Sequence, residues 1–187
     1  NENNKSPVII NSEQEKPLNF NFQTNFTLIY LITVSKPSNH LIREINAMSG
    51  KETAFILFYD NKANRTEFYN LLSKEVNNGQ FANVFIIDSP RFHVGWSEIT
   101  QAFTQLVMMQ ASIKYFSNSL YISCHSDSDY PLYPTKYIVK YLKENYPKNY
   151  IYTFPIYREG WKKSRKHDFR LFFNDNLNSS QKVKKVI

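Results

Sequence analysis

The stretch SLYISCHSDSDYPL, Ser119 to Leu132, decides the fold. Leu120 to Ser123 reads as a short strand that empties into a polar loop closed by Asp129-Tyr130-Pro131-Leu132. A helical pattern opens straight afterwards at Pro134-Thr135. A strand, a loop at its carboxyl end and a helix behind it form one unit of an α/β sheet, and such loops are where these sheets hold ligands. Asp127 and Asp129, set among hydroxyls, are therefore candidate contacts for a sugar or a phosphate-bearing ligand. The alternative at this point is an Asx turn with a proline stop.

Upstream the same unit recurs. Leu28 to Val34 is a near-continuous apolar strand, as expected where both faces of a parallel sheet are covered. Ser38 or Asn39 can cap a helix with Leu41, Ile42, Ile45 and Met48 on one face, and Gly50 is a plausible stop. Ala54 to Tyr59 is a second strand, ending at Asp60, and a helix with Phe68, Leu71, Leu72 and Val76 inward follows it. Val84 to Ile87 is a third strand, followed by a helix with Ile99, Ala102, Phe103, Leu106 and Val107 at helical spacing. After the decisive loop, Thr135 to Asn145 predicts a helix with Ile138, Tyr141 and Leu142 inward and Lys136, Lys140 and Lys143 outward. Asn149 to Phe154 predicts a fifth strand. The alternation implies an α/β fold with a doubly wound, mostly parallel sheet and flanking helices. Ser35-Lys36-Pro37 after the first strand is not a glycine-rich dinucleotide fingerprint, and no P-loop occurs.

Composition bounds the function. The chain has 187 residues, 42% of them hydrophobic and 16% aromatic, which suits one folded body and excludes a disordered chain. A net charge of +7 favours anionic partners such as nucleotides, nucleic acid or acidic surfaces. Cys124 is the sole cysteine, so no internal disulfide exists; at the end of an apolar strand it reads as a small buried thiol. His40, His93, His125 and His167 lack zinc-ligand spacing, so no metal site is expected. No apolar run is long enough to span a bilayer. Residues 1–25 read as a polar, Asn-rich linker or stem and 26–155 as the folded domain. Residues 156–187 read as a basic tail with interleaved aromatics, or as the start of a C-terminal half.

Three blocks, in order and spacing, resemble the core-2/I-branching N-acetylglucosaminyltransferase and peptide O-xylosyltransferase family. The first is Leu28 to Lys36 with Phe55-Ile-Leu-Phe-Tyr-Asp60-Asn-Lys62. The second is Asn83 to Ile87 with Arg91-Phe-His-Val-Gly-Trp96-Ser-Glu-Ile-Thr100. The third is Tyr121 to Leu132, which is similar to a strand followed by S-G-x-D-Y-P-L. The resemblance covers about Leu28 to Phe154. It implies a GT-A-like (Rossmann-like) glycosyltransferase that takes a UDP-sugar donor, inverts the anomeric centre and uses no metal or other cofactor. It implies that Asp60 contacts the uridine, that Lys62 lies beside the nucleotide and that Val34 lines the uracil pocket. Arg91, Val94 and Trp96 would flank the nucleotide, with Asp127 and Asp129 in the donor or acceptor loop. The implied partners are the UDP-sugar and a glycan or glycoprotein acceptor. The implied setting is the Golgi or another secretory lumen behind an upstream membrane anchor, and the sequons at Asn25, Asn64 and Asn178 agree with it.

The chain departs from the family pattern at three points. Ser97-Glu98 replaces a Gly-Gly pair, and Asp127 replaces the glycine of S-G-x-D-Y-P, adding a second carboxylate near Asp129. No residue is identified as the catalytic base. The expected function is therefore transfer of N-acetylglucosamine or xylose from a UDP-sugar to a hydroxyl. One alternative is an inactive or truncated member that binds without turnover. The lesser alternative is a nucleic-acid module using the basic tail, which the folded part does not support with any motif.

Overall fold

In the computed structural model of the chain, the described residues are 8–11, 25–77, 83–95 and 98–151. The strands are β1 (Val8–Asn11), β2 (Leu28–Val34), β3 (Thr53–Tyr59), β4 (Val84–Ser89) and β5 (Tyr121–Ser126). The helices are α1 (Asn39–Met48), α2 (Arg65–Asn77), α3 (Ile99–Tyr115) and α4 (Thr135–Glu144). The strands form one sheet in the order β1-β4-β3-β2-β5, and every neighbouring pair is parallel.

Strand periodicity divides the core into two layers. Leu28, Tyr30, Ile32 and Val34 of β2 point to the face covered by Leu41, Ile45 and Met48 of α1, Phe68 and Leu72 of α2, and Leu142 of α4. Ile29 and Leu31 point to the other face, covered by Met108, Ala111 and Tyr115 of α3. Burial on both faces is why β2 and β3 read as unbroken apolar runs rather than as alternating patterns. Ser38 caps α1 as expected, its Oγ accepting from the Leu41 amide at 3.3 Å. Ser38→Ala is expected to cost about 1 kcal/mol, read as a lowered urea midpoint at unchanged slope.

Several expectations are corrected. Residues 8–11 lie inside the stretch expected as linker, yet they form β1 and pair with the outer edge of β4, Val8 opposite Phe85. The β-prone Val8-Ile9-Ile10 run was the local signal, masked by its polar surroundings. The strand expected at Asn149–Phe154 is not formed as far as Ile151, and the rest of it lies outside the described residues. β5 runs to Ser126, beyond the expected end at Ser123. Tyr141 is exposed rather than inward, and Val139 takes the buried position. Cys124 is exposed, because β5 is an edge strand and its α3-side face is left open among the described residues. Ile99, Phe103 and Leu106, the apolar stripe read on α3, face solvent, and Thr104, Met108, Ala111, Ser112 and Tyr115 face the sheet instead. Among the described residues, no helix is long and apolar enough to cross a membrane.

The topology fixes where a ligand can enter. From β2 the chain steps to β3 and then β4 on one side, and returns to place β5 on the other side of β2. The loops leaving β2 and β5 run to helices on the same face and meet at the carboxyl ends of the strands, and beside them a crevice opens toward the ends of β3 and β4.

Candidate functional site

A cavity of about 840 Å³ occupies that crevice, lined by Thr33, Ser35, Asp60, Lys62, Val94, Asp127 and Asp129 together with Gln101, Gln105 and Cys124 to Ser128. Five of the sequence-selected residues, Asp60, Lys62, Val94, Asp127 and Asp129, are thus brought together. Val34 lies at the end of β2, fully buried, and its carbonyl accepts from the Asp60 amide at 2.8 Å. Trp96 lies outside the described residues.

Asp60 sits where β3 ends and is only 4% exposed. Its Oδ1 accepts from the Lys62 amide at 2.8 Å, closing an Asx turn, and its Oδ2 accepts from the Val94 amide at 3.2 Å. The Lys62 ammonium stands 3.8 Å from Oδ2. One carboxylate thereby fastens the loop after β4 to the end of β3 while keeping lone pairs toward the cavity, since an ionised carboxylate offers about four acceptor positions. Arg91 does not line the cavity. Its guanidinium stacks 3.8 Å over the Tyr59 ring and donates to the Asp60 carbonyl at 3.2 Å, so it braces Asp60 from behind.

Asp127 answers the question of two neighbouring acids. Its Oδ2 accepts from the Ser35 amide at 2.7 Å, the Ser35 hydroxyl at 2.7 Å and the Lys36 amide at 3.3 Å. The carboxylate that replaces the family's glycine therefore occupies the amides of the turn between β2 and α1, a place where an anion would otherwise find donors. Asp129 points back into its own turn, with Oδ2 accepting from the Ser126 amide at 2.6 Å and the Ser126 hydroxyl at 3.2 Å. His125 Nδ1 lies 3.8 Å from that oxygen and His125 Nε2 lies 2.9 Å from the Ser123 hydroxyl. Burial lowers the His125 pKa, partly offset by Asp129, which favours a neutral ring at pH 7.

Three features of the site escaped the sequence reading. Gln105 donates to the Thr33 hydroxyl at 3.2 Å across the crevice, and Gln101 stands one turn before it on the cavity wall. Gln101 and Gln105, four apart and so on one face of α3, were the available signal. His125 has no metal-ligand spacing in the sequence, yet alternation along β5 places it on the same face as Ser123. Glu44 is fully buried on α1, with neither carboxylate oxygen hydrogen-bonded. Burial, with Asp129 and Asp127 adding to it, raises its pKa to about 8. Its position one turn from both Leu41 and Met48 marked it as core-facing. No group of three or more His, Cys, Asp or Glu suited to a metal ion occurs among the described residues.

A family model described as "Branch: Core-2/I-Branching enzyme" matches residues 28–186, from the first residue of β2 through the whole crevice and on past Ile151. No curated protein matches the chain.

Proposed function

Because this chain belongs to the core-2/I-branching enzyme family, whose members are glycosyltransferases, we propose that it transfers a sugar from a UDP donor held across the β2–β5 crevice. The sugar is N-acetylglucosamine or xylose, and the acceptor is a hydroxyl of a glycan or glycoprotein. The acceptor oxygen forms its bond to the anomeric carbon while the bond to the β-phosphate oxygen breaks on the opposite face. UDP leaves, the centre inverts, and the hydroxyl proton passes to a general base. No metal is called for in this scheme, and charge compensation on the diphosphate falls to basic side chains, Lys62 first among them. The setting proposed is the Golgi or a related lumen.

The observation that carries this reading is the convergence of Asp60, Lys62 and Val94 with the Asp127–Asp129 turn on one cavity at the topological switch. Asp60 offers its remaining lone pairs to the uracil or ribose, and Lys62 lies within reach of the phosphates. Calorimetric titration with UDP tests it. A dissociation constant below about 1 mM is expected, and no heat at several times that concentration would defeat the proposal.

A second reading, a member that binds without turnover, is favoured by Asp127, which fills the β2–α1 turn with a negative charge of the protein's own. The two readings separate on release of UDP from UDP-N-acetylglucosamine and UDP-xylose in the presence of acceptor glycans. Asp127→Asn removes the charge and keeps an oxygen for the Ser35 amide. UDP is expected to bind about threefold to tenfold tighter to this variant, since a unit charge at close range contributes on the order of 1 kcal/mol in a wet crevice. An unchanged or weaker affinity in the same titration would place the diphosphate away from that turn.

A further inference from the structure

Asp88, near the end of β4, does not line the crevice. By alternation it follows Val84 and Ile86 on the sheet face covered by α1 and α2. β3 and β4 pair in register up to Phe58 opposite Ile87, so Asp88 comes level with Tyr59. Its Oδ1 accepts from the Tyr59 hydroxyl at 2.5 Å and from the Tyr69 hydroxyl at 3.3 Å, and its Oδ2 accepts from Arg65 Nη2 at 2.6 Å. Arg65 is an exposed side chain at the start of α2, so that ion pair is wet and contributes little. The bond to Tyr59 differs, because Tyr59 is wholly buried. Burial first, and the Asp88 bond second, hold its phenol above the ordinary value, so the proton stays on Tyr59 and the carboxylate stays the acceptor.

The Tyr59 ring carries this anchor to the crevice rim. Phe68 stacks on it with centroids 4.6 Å apart, and the Arg91 guanidinium lies 3.8 Å over it, so the two occupy opposite faces. A phenol that donates to a carboxylate gains electron density, and its ring face then attracts a cation more strongly. Arg91 in turn donates to the Asp60 carbonyl at 3.2 Å and opens the loop whose Val94 amide donates to Asp60 Oδ2 at 3.2 Å. The buried Arg91 Nε has no hydrogen-bond partner, so among the described residues the ring and that one hydrogen bond are what orient the guanidinium. We propose that Asp88 is a positioning residue: acting through Tyr59 and Arg91, it sets the clasp between Asp60 and the Val94 loop, and through the clasp the grip on the nucleotide. The last step rests on the UDP reading, and the clasp does not.

Two variants of the full chain cut neighbouring links. Asp88→Asn keeps the shape and an acceptor oxygen but removes the charge, and Tyr59→Phe keeps the ring but removes the hydroxyl. In hydrogen exchange each is expected to speed the Val94 amide at least about fivefold more than the Leu31 amide in the middle of β2. A merely structural role would lower global stability and speed both amides alike, and that result overturns the proposal. In calorimetry UDP is expected to bind each variant about threefold to tenfold more weakly. The double variant should bind like either single one, because both changes cut the same chain. Losses that multiply in the double variant give Asp88 a separate route and overturn the proposal, as does wild-type affinity in both single variants. A wild type that ignores UDP defeats the nucleotide reading alone, and the exchange comparison, which needs no ligand, then decides the role of Asp88.

Discussion

Asp60→Ala is expected to weaken UDP binding by a factor on the order of 100 and to lower stability by about 2–4 kcal/mol. The two losses have separate causes. The stability loss follows from stranding two backbone donors, the amides of Lys62 and Val94, which now meet a carboxylate inside a nearly closed pocket. Charge-assisted bonds of this kind contribute about 1.5–3 kcal/mol each, and a stranded buried donor adds its own desolvation cost. The binding loss requires in addition that the nucleotide lie in the crevice. Removing the carboxylate frees the loop from Arg91 to Gly95 and takes an acceptor away from the base or ribose. The Lys62 ammonium also loses its neighbour at 3.8 Å. Asp60→Asn separates the two roles, because its single carbonyl oxygen can serve one amide while its NH₂ faces the other donor. It should fold better than the alanine variant and still bind UDP poorly. The checks are a urea titration for the fold and calorimetry for UDP. A variant that loses stability but binds UDP like the wild type would reduce Asp60 to a loop fastener and remove the uridine from this part of the rim.

How much of this was legible beforehand divides along physical lines. β2, β3, α1 and α2 were readable because their burial follows from their own periodicity: β2 and β3 are apolar throughout, and Leu41, Ile42, Ile45 and Met48 share a face. The family was legible from short blocks at strand ends, where function constrains residue type locally. The facing of α3 was not legible. Its most apolar stripe is turned outward, and its sheet-facing side holds Thr104 and Ser112 beside Met108 and Ala111, so hydrophobicity alone chooses the wrong face. Cys124 failed for a related reason, since whether a strand is at an edge is set by sheet order and not by its own sequence. In the site, residue types were readable and partners were not. Nothing local to Asp127 says that its carboxylate binds Ser35 and Lys36, some ninety residues away in the chain.

Glu44→Gln is expected to remove most of a pH-dependent destabilisation between pH 5 and 8. Glu44 is wholly buried on the inner face of α1, and both its oxygens lack hydrogen-bond partners. Burial is the first cause of its raised pKa, with the negative charges of Asp129 and Asp127 second, and together they carry it from 4.5 to about 8. The native protein therefore keeps this proton up to about pH 8, whereas the unfolded chain releases it near 4.5. Between those values the native state binds more protons, so stability falls as pH rises through the window and levels off above it. The limiting slope is about 1.4 kcal/mol per pH unit, and the integrated loss by pH 7.5 is on the order of 3 kcal/mol. His125, whose pKa burial lowers, works in the opposite sense: its contribution is lost as pH falls below its unfolded value. Wild type and variant share that term, so their difference isolates Glu44. Glutamine keeps the shape, carries no charge at any pH and leaves an unpaired amide, which costs about 1–3 kcal/mol. Near pH 5 the two proteins should therefore be similar, or the variant slightly weaker. Toward pH 8 the variant should hold its stability while the wild type declines. Glu44→Leu, which removes the polar group altogether, should exceed both across the range. Urea midpoints measured at half-unit steps from pH 5 to 8 decide it. Parallel profiles for wild type and Glu44→Gln would mean that the carboxyl finds a partner or solvent and ionises normally. The buried acid beneath the Asp127–Asp129 turn would then have no influence on how tightly that turn is held.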